Sequence, residues 1–228
     1  MSTVEVRFMS RNAETTQYSF LEEIFNSITH GLGILLSIAA LVLLIVFASL
    51  YGSAKHIVSC TIFGTTLILL YTASTLYHSL RKPHAKKVLK IIDHSCIYTL
   101  IAGTYTPFML VVIRGALGWS IFVLMWALTI AGISYKIFFA HRFKIISTIA
   151  YLLMGWIIIF VIKPLVDGLP IGGILWLIAG GLAYTLGTIF YLGKKIPYNH
   201  AIWHLFVLAG STCHFFAVLF YVIPIHTK

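Results

Sequence analysis

A small set of ionisable side chains lies within or beside otherwise apolar segments of this sequence. Such groups are costly to place in a membrane, so they are functional candidates by default. They are Glu23, His30, His78, Asp93, His94, His200, His204 and His214. Their types and spacing indicate which chemistry they can perform.

His200 and His204 are four residues apart, which puts both imidazoles on one face of a helix. Such a pair can hold one metal ion, although this spacing by itself is a weak motif. His78, from a separate segment, adds a third nitrogen ligand. Three histidines and an open fourth position for water are typical of catalytic zinc. We therefore predict a zinc site formed by His78, His200 and His204.

Asp93 and Ser74 are the candidate catalytic residues beside this site. Zinc lowers the pKa of its bound water to about 7. Asp93 would accept a proton from that water or orient it. Ser74, four residues before His78, would hydrogen-bond the same water or a substrate oxygen.

Other polar residues have less defined roles. Glu23, Asn26 and His30 share one stripe of the first helix. Two interpretations stay open for them: they orient the metal ligands, or they form an interhelical hydrogen-bond network. His94 points about 100° away from Asp93 around the helix and is interpreted as structural. Cys96 is a less favoured thiolate ligand, and His214 is expected to be a hydrogen-bonding partner.

The elements that position these residues follow from composition. Of the 228 residues, 60% are hydrophobic and 10% are charged, against about half and a quarter in a globular domain. Seven apolar runs are each long enough to cross a bilayer. They cover residues 24–49, 56–79, 88–113, 117–139, 145–165, 171–192 and 199–223. We predict an all-α membrane protein, with a seven-transmembrane-helix bundle at 19–225 and a tail at 1–18.

Loop charge predicts the orientation of this bundle. Twelve of the 16 lysines and arginines fall in the tail and the loops on one side. The positive-inside rule places that side, with the N-terminus, in the cytoplasm, and the C-terminus outside. All the candidate groups except His214 then lie at cytoplasmic helix ends. The formal charge of +10 is thus explained by topology and anionic lipid headgroups, and no nucleic-acid partner is expected.

Three smaller expectations complete this picture. Ser19 and Glu22 form a capping-box pattern at the start of the first helix. The three cysteines are isolated, so no disulfide is expected, and no cleaved signal peptide is predicted. Aromatic residues near the predicted helix ends are interpreted as an interfacial belt: Tyr77, Tyr98, Tyr105, Tyr198 and Trp203.

The motifs that carry these residues resemble one known family. The matching segments are residues 22–31, 74–78, 93–95, 103–107 and 200–204. They are similar to the haemolysin III branch of the PAQR family, which also holds the adiponectin and progestin receptors. The resemblance implies seven helices with a cytoplasmic N-terminus and a zinc site near the cytoplasmic face. It places the zinc histidines at His78, His200 and His204, with Ser74 and Asp93 beside the metal.

The family implies several activities. Its receptor-type members are similar to ceramidases, and its bacterial members carry a haemolysin label and are linked to membrane lipid homeostasis. The favoured hypothesis is a zinc-dependent hydrolase of a lipid amide or ester, or a lipid-homeostasis factor, in the plasma membrane. A pore-forming haemolysin and a receptor or scaffold with structural zinc are alternatives. A transporter is weaker, because no inverted repeat is visible.

Overall fold

Seven helices form the bundle in a computed structural model that describes residues 18–139, 144–193 and 196–225. Each is long and apolar enough to cross a membrane, which confirms the predicted seven-span fold. They are α1 (Phe20–Tyr51), α2 (Ala54–Ser79), α3 (Pro83–Ile113), α4 (Gly115–Phe139), α5 (Lys144–Gly168), α6 (Ile171–Leu192) and α7 (Asn199–Val222).

The first helix begins at the predicted cap. The Ser19 side chain accepts a hydrogen bond from the Glu22 amide at 3.2 Å, and the Ser19 amide donates to the Glu22 carboxylate at 2.8 Å. This reciprocal pair starts α1 at Phe20, four residues before the predicted apolar run. Helix α3 also begins early, at Pro83, because proline suits the first helical turn.

The outer surface of the bundle is apolar. Phe160 is 87% exposed and Phe138 is 78% exposed, and many large aliphatic side chains share this orientation. Such a surface is stable only against lipid, since contiguous apolar patches of this extent are rare on soluble proteins. The chain is therefore a multi-pass membrane protein.

Helices α2, α3 and α7 form most of the interior. They are more buried than the other spans; α2 packs between α1 and α3, and α7 packs against α1 and α6. Because these helices carry His78, Asp93, His200 and His204, the candidate residues converge inside the bundle.

Helix α5 is interrupted halfway along its length. It tightens to a 3₁₀-helix over Ile157–Val161 before continuing. The Tyr105 hydroxyl accepts a hydrogen bond from the Ile158 amide and donates to the Gly155 carbonyl, both at 2.8 Å. A side chain of α3 thus satisfies backbone groups that the break exposes, as hydrocarbon surroundings demand.

Three members of the predicted aromatic belt lie in the interior instead. Tyr77, Tyr98 and Tyr105 are at least 93% buried. The belt interpretation was wrong for them because their positions along α2 and α3 do not reveal which way each ring points. The Tyr105 hydroxyl hydrogen-bonds the backbone at the α5 break and does not lie at a membrane interface.

Candidate metal centre

His78, His200 and His204 lie together at the end of the bundle where α1, α3 and α7 begin. Their nearest ligand atoms are all within 4.8 Å of one another, and the three side chains are buried. The Nε2 atoms of His78 and His200 are 3.2 Å apart. Among the described residues, this is the group of histidine, cysteine and acidic side chains with metal-binding geometry. Cys96 is not part of it.

This spacing fits zinc. Tetrahedral coordination with Zn–N bonds of about 2.0–2.1 Å separates two ligand nitrogens by roughly 3.3 Å. The Nε2 atoms of His78 and His200 already stand at that separation. Both rings come from helices that are held by packing, so the arrangement does not depend on a loop.

The second nitrogen of two of these rings is engaged, which leaves Nε2 of each ring for a metal. His78 Nδ1 donates to the Glu23 carboxylate at 2.5 Å. His204 Nδ1 lies 3.1 Å from the backbone carbonyl oxygen of Asn26 and 3.1 Å from the Thr29 hydroxyl. Because a carbonyl only accepts, His204 Nδ1 carries the hydrogen and Nε2 carries the lone pair. Partners of this kind orient histidine ligands and raise their basicity.

Glu23 is itself held in place from the other side. The Lys86 ammonium pairs with its second carboxylate oxygen, so the carboxylate bridges α1, α2 and α3. The side-chain amide of Asn26 lies 3.5 Å from His78 Nδ1. Both residues from the predicted α1 stripe therefore contact the candidate ligands.

His30, the third residue of that stripe, contacts a ligand differently. Its ring stacks on His204 with centroids 3.5 Å apart and planes within 11°. Neither of its ring nitrogens has a hydrogen-bond partner in the described part of the chain. Tyr71 packs edge-on against the same ring. His30 thus supports His204 by packing rather than by hydrogen bonding.

Ser74 and Asp93 are both buried and line one cavity together with His200 and His204. The Asp93 carboxylate lies 3.4 Å from Nδ1 of His94. That same nitrogen is 2.8 Å from the Lys90 backbone carbonyl, to which it donates. His94 therefore hydrogen-bonds its own helix turn beside Asp93 and also lines the cavity, and its interpretation as structural stays a prediction.

Tyr18 covers the histidine cluster, a role that was missed from the sequence. Its ring stacks on His200 with centroids 4.9 Å apart and lies 6.0 Å from His78. Burial and then the negative charge of Glu23 raise the pKa of the Tyr18 phenol, so the hydroxyl stays protonated. The available signal was an aromatic residue directly before the capping box.

Hydrogen bonds of Glu22 hold the chain next to Tyr18 in place. Glu22, which completes the cap of α1, also accepts a hydrogen bond from the Tyr198 amide at 3.3 Å. Tyr198 precedes α7 in a left-handed conformation with φ of 57°. The start of α1 is thereby tied to the start of the helix that carries His200 and His204.

A cavity of about 220 Å³ extends from the histidines into the bundle. Ser74, Asp93, His200 and His204 line it at one end, and Ile174, Leu177 and His214 line it deeper in the bundle. The walls between these ends are mostly apolar and come from α3, α5, α6 and α7. A buried polar centre at one end of an apolar cavity suits a ligand with a polar group and a hydrocarbon chain.

The sequence that forms this bundle matches a known family. A family model described as "Haemolysin-III related" matches residues 18–215, and the chain belongs to this family. The match includes every candidate site residue, since all of them lie between Glu23 and His214.

Individual relatives support the assignment. The chain is 54% identical to "Hemolysin-3" of Bacillus cereus, over 89% of this chain and 93% of that protein. It is 55% identical to "Hemolysin-3 homolog" of Bacillus subtilis (strain 168), over 91% and 98%. It is also 31% identical to "Monocyte to macrophage differentiation factor" of Homo sapiens, over 72% and 71%.

Proposed function

We propose that this protein is a membrane-embedded, zinc-dependent hydrolase that cleaves an amide or ester bond of a membrane lipid. The observation that carries the proposal is the position of three converging histidines at the end of an apolar cavity that Asp93 and Ser74 also line. The histidines supply a nitrogen ligand set, and the cavity supplies room for an acyl chain.

Each residue is assigned a role in the proposed reaction from its chemistry. His78, His200 and His204 would hold zinc, which supplies Lewis acidity and a water of lowered pKa. Asp93 is the buried carboxylate that takes a proton from water at this end of the cavity. Ser74 is a hydroxyl that hydrogen-bonds a substrate oxygen and keeps the scissile group in place. Glu23, Asn26 and His30 hold the ligand rings.

Cellular placement is part of the proposal. We place the protein in the plasma membrane, where loop charge favours a cytoplasmic N-terminus and a histidine cluster near the cytoplasmic face. The family resemblance favours a ceramidase-like reaction with a role in lipid homeostasis. Two of the relatives are named hemolysins, but the mostly apolar cavity walls lack the polar lining that a pore requires.

The test combines metal content with turnover. Full-length protein, purified without chelators, should contain about one zinc per chain and release fatty acid from a ceramide or related lipid amide. Asp93→Asn should retain zinc and lose at least about 100-fold in turnover, as expected for a general base. His204→Ala should lose both zinc and turnover.

The control is Thr61→Val, which removes a hydroxyl near the opposite end of α2 from His78, outside the cavity lining, and should keep both properties. Protein free of zinc would contradict the proposal. Zinc with no turnover on any lipid amide or ester would reduce the site to a structural one, as in a receptor or scaffold.

A further inference from the structure

A second group of polar side chains lies deeper in the bundle than the histidine cluster. It consists of Tyr71, Tyr184, Ser211 and His214, which we call the inner polar cluster, and two of its members, Tyr184 and His214, line the cavity. His214 lies ten residues beyond His204 on α7, a rise of about 15 Å. Because polar groups at such depth are expensive in hydrocarbon, their presence requires an explanation.

Three members of the inner polar cluster, Tyr71, Tyr184 and Ser211, are joined by hydrogen bonds. The Tyr71 hydroxyl donates to the Ser211 hydroxyl at 2.8 Å. The hydroxyls of Tyr184 and Ser211 are also 2.8 Å apart. These bonds join α2, α6 and α7, and interhelical bonding of this kind explains Tyr71 and Ser211. With Ser211 donating to Tyr184, the Tyr184 hydroxyl keeps a hydrogen to donate elsewhere.

Helix association explains only one of the two ring nitrogens of His214. Its ring lines the cavity and is about nine-tenths buried. Its Nε2 makes a long hydrogen bond of 3.4 Å to the Leu177 carbonyl, so Nε2 carries the hydrogen and Nδ1 is an acceptor. That Nδ1 atom is buried and has no hydrogen-bond partner among the described residues. An unmet buried acceptor of this kind is destabilising.

The surrounding helices make room for this imidazole. A Cβ atom on Gly180 of α6 would lie 2.4 Å from Nε2 of His214, so glycine is required where the two helices meet. The Tyr184 ring packs beside His214 with centroids 5.5 Å apart. An acceptor and a donor thus stand together on the wall of an otherwise apolar cavity.

We infer that the inner polar cluster is a binding subsite for a hydroxyl group in the middle of an acyl chain. A hydroxyl is the group that matches it, because it can donate to an imidazole acceptor and accept from a tyrosine hydroxyl. This inference rests on the proposed function and names its substrate class: lipids with a mid-chain hydroxy-acyl group, whose polar end lies at the histidine cluster.

The experiment compares two fatty acids that differ only in a mid-chain hydroxyl, oleic acid and ricinoleic acid. Binding to full-length, zinc-loaded protein in detergent micelles is measured by displacement of a fluorescent fatty acid. Ricinoleic acid should bind about fivefold tighter than oleic acid, the effect of one net hydrogen bond. A fatty acid with its hydroxyl next to the carboxyl group should show no such gain.

Two substitutions should abolish the preference. Tyr184→Phe keeps the ring and removes the hydroxyl, and His214→Leu removes the acceptor, so in both the ratio of the two affinities should approach one while oleic acid binds as before. Thr188→Val, which removes a different hydroxyl from the cavity wall, should keep the fivefold ratio. Thermal melting of each variant verifies that it is folded.

The outcomes separate the two proposals. Equal affinity for both fatty acids in the unmodified protein, or a preference that survives both substitutions, overturns the subsite and leaves lipid hydrolysis standing. Failure to bind either fatty acid, together with no release from lipid amides, overturns both. Lipid-amide turnover with an unchanged rate for hydroxylated and plain acyl chains also overturns the subsite alone.

Discussion

At the scale of single residues, Glu23 fixes the orientation of His78, one of the three candidate metal ligands. It accepts the Nδ1 hydrogen of His78 and is itself paired with Lys86. The charge therefore orients the imidazole and makes Nε2 a better electron donor. Since the pair is largely buried, solvent screens this interaction little.

We predict that Glu23→Gln weakens zinc binding by about 10- to 100-fold. Gln keeps the size of the side chain but removes the charge that favours the ligand tautomer. Affinity is measured by competition with a chelator of known zinc affinity. The matched control is Glu22→Gln, because Gln also completes a capping box and Glu22 contacts none of the three histidines. Equal zinc affinity in both variants would remove Glu23 from the site.

At the scale of elements, the segment before α1 closes one side of the histidine cluster. The capping box fixes the direction in which the chain enters α1, and this direction places the Tyr18 ring over His200. The hydrogen bond from the Tyr198 amide to Glu22 holds the same segment near the start of α7. The Tyr18 ring therefore covers the His200 imidazole on this side.

Tyr18→Ala should speed the removal of zinc by a water-soluble chelator by roughly tenfold, while Tyr18→Phe should behave like the unmodified protein. The reason is that the ring, rather than the hydroxyl, covers His200 and that losing it removes stacking worth about 0.5–1.5 kcal/mol. Stopped-flow absorbance with a colorimetric chelator gives the rate. An unchanged rate in the alanine variant would show that zinc leaves by another route.

The interruption of α5 is a second feature at this scale. Breaks in membrane helices are tolerated where another group satisfies the freed backbone, and here Tyr105 of α3 serves both a donor and an acceptor. The broken segment also borders the cavity, since Gly155, Ile158 and Ile159 line it. The break and the cavity therefore depend on the same tyrosine.

Tyr105→Phe should destabilise the bundle by about 1–3 kcal/mol, because a buried amide and a buried carbonyl lose their partner. The expected readout is a lower midpoint of thermal unfolding in detergent. Tyr51→Phe is the control, since Tyr51 is 60% exposed at the end of α1 and should leave the midpoint unchanged. Equal midpoints for both variants would mean that water or backbone rearrangement replaces the Tyr105 hydroxyl.

At the scale of the whole molecule, the seven spans combine with loop charge to predict an orientation. An odd number of spans places the two termini on opposite sides of the membrane. The excess of lysine and arginine on the N-terminal side favours a cytoplasmic N-terminus. The histidine cluster lies at the end of the bundle where α1 begins, so this orientation would place it near the cytoplasmic face.

This orientation predicts the behaviour of reporter fusions. A phosphatase that is active only outside the cytoplasm should be active when fused to the C-terminus and inactive when fused to the N-terminus. A fluorescent protein that folds only in the cytoplasm should give the opposite pattern. Reversed results with both reporters would move the histidine cluster to the outer face and contradict the positive-inside assignment.

Much of the fold was accessible from the sequence because each of its signals is local. Runs of about 20 apolar residues predict spans, and the Ser19–Glu22 cap predicts where α1 begins. The spacing of His200 and His204 follows from helix geometry alone. Depth in the bilayer then narrowed the candidates to residues that the folded bundle does bring together, with His78 Nε2 3.2 Å from His200 Nε2.

Contacts between distant segments were decided only by tertiary structure. Tyr18 over His200, Tyr105 at the α5 break and the inner polar cluster each join residues from different helices. A hydropathy pattern reports how deep a side chain lies but not toward which neighbour it points, since apolar residues occur on all sides of these helices. Helix rotation and packing determine that direction, and with it the cavity and its second polar group.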